Sequence, residues 1–117
     1  MGEVAELRRF RFQINIPKRK TIVLFVLHAL DRPSALPKRL ANYDAHKAFL
    51  SDTSPHGVKI VMSGPLTGDD GETMIGSLFL IEAPDRATVV RFNAADPFYA
   101  ADIWEKVTIT GFLRRLG

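Results

Sequence analysis

An α+β fold with the element order β-α-β-β-α-β is what this 117-residue chain predicts. Three observations carry that reading. Thr21 to Ala29 is a nearly unbroken apolar run rich in β-branched residues, as a well-covered strand requires. Two later segments open on helix-start signals, Asp31-Arg32-Pro33-Ser34 and Ala83-Pro84-Asp85. Between them, Thr67-Gly68-Asp69-Asp70-Gly71 supplies the turn chemistry of a hairpin.

Taken in order, Thr21–Ala29 is predicted to be a central strand. Ser34 is a plausible N-cap for the helix that follows, and Pro37 falls in the first turn, where a missing N–H is tolerated. Leu36, Leu40, Tyr43 and Leu50 form one stripe at 3.6-residue spacing, while Lys38 and Lys47 can lay their stems on the surface and keep their charges wet. The helix is expected to stop near Asp52, before Thr53-Ser54-Pro55-His56-Gly57. Val58–Ser63 reads as a second strand ended by Gly64-Pro65, paired through the hairpin with Met74–Glu82. Asp85 stands near the positive end of the next helix, whose buried face Ala87, Val89, Val90 and Phe92 can supply. Asp96-Pro97 interrupts it, a short helical turn covers Pro97 to Ala101, and Ile103–Phe112 alternates as the last strand. This order resembles the ferredoxin-like split βαβ arrangement, an antiparallel sheet with both helices on one face. Strands this apolar need cover on the other face too, which predicts a homodimer.

Composition narrows the class further. Apolar residues make up 46% and charged residues 25%, so the chain is an ordinary globular domain rather than a disordered or repetitive one. There is no cysteine, hence no disulfide framework and no thiolate chemistry. No apolar run reaches the length of a membrane span and no secretory leader is visible, so the expected location is the cytoplasm, with no membrane partner. The net charge of +3 is unevenly spread: residues 1–20 carry six basic groups against Glu3 and Glu6, and residues 21–117 are left slightly acidic. The chain therefore divides into a basic N-terminal extension, 1–20, and an α+β domain, 21–117. A solvated leader accounts for the basic stretch better than nucleic-acid binding does. The alternation of Phe10, Phe12, Ile14 and Ile16 allows an added edge strand over Arg9–Ile16.

Few residues can carry chemistry. His46 lies in line with Arg39, seven residues earlier, at the margin of the helix stripe, and a histidine at a core edge suits proton transfer near neutral pH. The plainer alternative is a histidine that only hydrogen-bonds a neighbour. Asp31 and Asp96 each precede a proline-containing helix start, so each is either a cap or a partner for His46. His28 reads as a core or cleft histidine and His56 as a turn residue. Three irregularly spaced histidines make no metal site. Ser63-Gly64-Pro65 can present a hydroxyl and free backbone groups, although strand termination is its ordinary role. Neither a P-loop, a GxSxG elbow nor a dinucleotide fingerprint is present.

The sequence resembles the YCII-related (YciI-like) family across residues 22–113. The resemblance rests on His-Ala-Leu-Asp at 28–31, Ser-Ala-Leu-Pro-Lys-Arg-Leu at 34–40, Ala-His at 45–46, Ser-Gly-Pro at 63–65, Asp-Pro-Phe-Tyr-Ala-Ala at 96–101 and Trp-Glu-Lys-Val at 104–107. It implies a dimeric α/β barrel and a site built on a histidine matching His46 and an aspartate matching Asp31, with the motif starting at Asp96 nearby. Asp102 stands where relatives usually carry glycine. Some relatives resemble dehydrochlorinases or other enzymes of aromatic breakdown. The expectation is thus a cofactor-independent enzyme for a small organic, aromatic-derived substrate, of lyase or isomerase type. In it His46 acts as base or acid, Asp31 fixes its tautomer, and Asp96 assists or replaces Asp31. Arg39, Ser63, Gly64, Pro65 and Phe98 are the candidates for binding substrate. The competing expectation is a non-catalytic small-molecule-binding or accessory module.

Overall fold

The computed structural model describes residues 22–117. The basic leader and the edge strand at Arg9–Ile16 lie outside the described residues. Four strands form one antiparallel sheet: β1 (Val23–Asp31), β2 (Lys59–Thr67), β3 (Met74–Ala83) and β4 (Trp104–Phe112), in the order β2-β3-β1-β4. With helical crossovers after β1 and β3, this is the ferredoxin-like arrangement.

Register follows from the side-chain pattern. On β1, Phe25, Leu27 and Ala29 point to the helices and are buried, and they pair with Ile81, Phe79 and Ser77 of β3. Across the other edge Leu27 faces Ile109 and Ala29 faces Val107 of β4. A one-residue slip would turn this whole set toward water, so the burial of one face pins the register. At Gly76 a Cβ would collide with the Ala29 carbonyl, so only glycine lets β3 approach β1 there.

β2 runs past its expected end at Ser63, through Gly64-Pro65 to Thr67. It is an edge strand, where a proline without an N–H forfeits no ladder bond on its open side. The sheet register shifts between Ile60 and Met62.

The first crossover is two helices rather than one, α1 (Leu36–Ala41) and α2 (Tyr43–Leu50), hinged at Asn42. The Asn42 amide side chain bonds the Lys38 carbonyl at 2.9 Å, closing α1 while the Asn42 carbonyl accepts from His46 N to open α2. Ser34 is not the cap: it takes a left-handed φ of 61° in the preceding turn, and Ala35 occupies the cap position without a side-chain bond. The predicted stripe is also rotated, because Leu40 and Tyr43 are exposed while Arg39 and His46 are buried.

The second crossover contains α3 (Arg86–Ala95) and α4 (Pro97–Ala100). Asp85 caps α3 by accepting from Thr88 N and Oγ1. Val89 and Phe92 are buried as expected, but Ala87 and Val90 are exposed and Thr88 and Asn93 take their place. Asp102, before β4, has φ 57°, the left-handed backbone that glycine adopts without strain. The core is one cluster between the sheet and the helices, including Phe25, Leu27, Phe79, Ile81, Val89, Phe92, Phe98, Ile103 and Trp104.

Candidate active site

Between the edge strand β2 and the first crossover lies a cleft of about 220 Å³. Its helix side is formed by Arg39, Tyr43, His46, Lys47 and Leu50, its strand side by Ser63, Gly64 and Pro65, and its floor by Ser77 and Phe79. The break at Asn42 and the seven-residue spacing bring Arg39 and His46 onto one buried line facing it.

His46 Nδ1 lies 2.8 Å from Asp96 Oδ1. Asp96 is 1% exposed and its Oδ1 also accepts from Phe98 N at 2.9 Å, so one oxygen both caps α4 and receives the histidine. An ionised carboxylate only accepts, which places the proton on Nδ1 and leaves Nε2 as the basic nitrogen of a ring that lines the cleft. Phe98 stacks on the imidazole with centroids 3.9 Å apart and planes 4° apart, and Phe79 meets it edge-on. These contacts lock the ring orientation that a proton-transfer group needs.

Asp31 has a different partner. The sequence reading assigns it to His46, with Asp96 in reserve; the structure reverses the two. Asp31 accepts from Arg39 Nε at 2.8 Å and Nη2 at 2.9 Å, a two-pronged pair buried on both sides. Arg39 Nη2 also donates to Ser77 Oγ at 2.8 Å, and the guanidinium carbon sits 4.8 Å from the Phe98 ring centroid. Arg39 is therefore a wall of the cleft already neutralised by Asp31, which ties the end of β1 to α1 and β3.

Of the predicted binding residues, Ser63, Gly64, Pro65 and Arg39 line the cleft. Phe98 does not: it is fully buried beneath His46 and Arg39, because α4 packs its first turn into the core. Ser77 was not anticipated, although a hydroxyl alternating with Phe79, Ile81 and Ala83 on the buried face of β3 is a visible signal. Tyr43 and Lys47, read as stripe and solvated charge, also belong to the cleft. His28 is on the opposite sheet face, paired with Leu78 and Thr108, and His56 meets the Phe49 ring at a tilt near the end of α2. Among the described residues, no three His, Cys, Asp or Glu side chains converge to hold a metal. Nor is any helix there long and apolar enough to cross a membrane.

A ferredoxin-like α+β domain with a cleft beside its edge strand, lined by a histidine that a buried aspartate backs, defines the class of protein. Residues 23–113 match the YCII-related domain, and the chain belongs to that family. Protein YciI of Escherichia coli O6:H1 and of Shigella flexneri are each 28% identical over 95 residues, spanning 77% of this chain and 96% of the relative. Among solved structures, 5-chloro-2-hydroxyhydroquinone dehydrochlorinase (TftG) from Burkholderia phenoliruptrix AC1100, in complex with 2,5-dihydroxybenzoquinone, matches with a TM-score of 0.69. It is 32% identical, over 79% of this chain and 95% of that one.

Proposed function

We propose that this protein is a cofactor-independent cytoplasmic enzyme that moves a proton on a small, hydroxylated ring substrate, with His46 as the base. The observation that carries the proposal is the buried His46–Asp96 pair at the wall of a cleft sized for one ring. An apolar protein cavity of about 150 Å³ admits benzene, so about 220 Å³ accommodates a ring with polar substituents. Support also comes from the structural likeness to a dehydrochlorinase of a chlorinated hydroxyhydroquinone.

In this reading His46 Nε2 takes a proton from a ring hydroxyl or an acidified ring carbon. Asp96 holds Nδ1–H and stabilises the imidazolium that forms. The electron pair left on the substrate then has two outlets. It expels a leaving group that departs with its own bonding pair, for a net loss of HX, or it takes the proton back at another carbon. The first outcome is a lyase reaction and the second an isomerisation. Asp31 has no direct part; with Arg39 and Ser77 it holds the wall in place.

The reading includes a second copy of the chain. The sheet face away from the helices carries Leu24, Val26, Leu78, Met62 and Phe112, and no helix among the described residues covers it. Met62 is 56% exposed and Phe112 44%. A copy packed face to face would bury this surface. Light scattering should return twice the chain mass, and Val26→Asp should halve it; a monomeric native protein would remove this part of the proposal.

For the chemistry, the full chain is incubated with 5-chloro-2-hydroxyhydroquinone and chloride release is followed. His46→Asn should lower kcat by about 10²- to 10⁴-fold with the fold retained by circular dichroism. An unchanged kcat would end the assignment of His46 as base. Binding without conversion by the native protein would make the cleft a ligand site only.

A further inference from the structure

We infer that Lys47 is the specificity-determining charge of the cleft, selecting ring substrates that carry an ionised oxygen, a phenolate or enolate. This deepens the proton-transfer reading and rests on its placing the substrate in that cleft.

The argument is a charge census of the walls. Arg39 is held by Asp31 through two hydrogen bonds, so its charge is balanced before any ligand arrives. The Asp96 carboxylate is buried behind His46, with Oδ1 committed to His46 and the α4 cap, and it does not line the cleft. Among the described residues, no acidic side chain lines the cleft. Lys47 alone remains among the lining cations, and among the described residues it forms no ion pair. Its ammonium sits 5.3 Å from the Tyr43 ring centroid, one turn back on the same face of α2. That cation–π contact ties the charge to Tyr43, another residue lining the cleft.

A cation that has no counter-ion among the described residues favours a ligand bearing negative charge. It also favours the anion left on the substrate when His46 removes a proton, and this attraction acts against the repulsion between the ammonium and the imidazolium. Neutral rings of the same size gain nothing on binding and only the second effect, during turnover. Lys47 therefore separates acidic hydroxyquinone-type rings from neutral hydroquinone-type rings, and Tyr43 positions it.

The test measures binding, so it does not depend on turnover. The full chain is titrated calorimetrically at neutral pH with 2,5-dihydroxybenzoquinone, a vinylogous acid that is anionic there, and with hydroquinone, which is neutral. Native protein should prefer the anion by about tenfold or more, less so at high salt. Lys47→Met should lower affinity for the anion about tenfold and leave hydroquinone within about twofold, while Lys47→Arg keeps the preference. Lys47 is exposed, so these changes leave the core intact. Equal loss of both ligands in Lys47→Met, or an unchanged preference, would overturn the inference, and so would native protein that binds hydroquinone as well as the anion. None of these results bears on His46, whose role is read from chloride release. Failure of His46→Asn to slow that reaction, with the anion preference intact, would sink the base and spare Lys47.

Discussion

The two crossovers of this fold pack against the same face of the same sheet, yet they bury opposite chemistry. α3 follows the ordinary rule: Val89 and Phe92 go into the core and the charged residues Arg86 and Arg91 stay out. α1 and α2 invert it. Arg39 and His46 are buried while Leu40 and Tyr43 face outward. Each buried polar group is matched by one carboxylate, Asp31 for Arg39 and Asp96 for His46, and both carboxylates come from outside these helices. A helix that withdraws ionisable groups from water in defiance of its own apolar stripe singles out this side of the molecule as the candidate functional side, since perturbed, buried ionisable groups cluster at such sites.

That contrast can be broken most forcefully by truncating one residue on each side. Phe92→Ala and Arg39→Met should each destabilise by about 3–5 kcal/mol in chemical denaturation, the first through a cavity and the second by stranding buried Asp31. The equal cost conceals different causes. Adding Asp31→Leu to Arg39→Met should restore most of the loss, since it removes the stranded charge, whereas Phe92→Ala has no such partner. Additive behaviour of Asp31→Leu and Arg39→Met would deny that the pair is a unit.

Next in size comes Asp96→Asn. Asparagine caps a helix about as well as aspartate, so α4 should survive while the imidazole loses the carboxylate that orients and stabilises it. Chloride release should fall by about 10²-fold or more with little change in melting temperature. A drop in stability with unchanged kcat would make Asp96 a cap alone.

The smallest effect belongs to the caps and turns of the surface. Hydrogen bonds from Thr88 hold the Asp85 carboxyl below its usual range, and those from Thr73 and Glu72 bring Asp70 to about 2. A carboxyl lowered by folding contributes stability that is present above its unfolded value and is lost as the pH falls through the folded one. Acid titration of stability should therefore decline from about pH 4 toward 2, and Asp70→Asn should flatten part of that decline. An unaltered profile would deny that the Asp70 turn contributes.

The sequence carried the element order, the hairpin, the acidic start of the second crossover at Asp85 and the capping alternative at Asp96, since strand alternation, Gly-Asp turns and Asp-Pro helix starts are local signals. His46 was legible as the one helix histidine aligned with Arg39, and Ser63-Gly64-Pro65 as a place near it. The end of β2 was misjudged because proline breaks a central strand but is tolerated at an edge, and position in the sheet is not a local property. The buried side of α1–α2 was misjudged because periodicity weighs only apolar residues, whereas here paired charges take the inward line.

What the amino-acid sequence determines alone is the succession of elements and the identity of the groups able to move a proton. Which carboxylate meets the histidine was decided by tertiary structure. Asp31 lies fifteen residues before His46 and Asp96 fifty residues after it, yet the more distant one makes the bond. The chain returns through α4 beneath α2, while Arg39, nearer and always charged, claims Asp31 first.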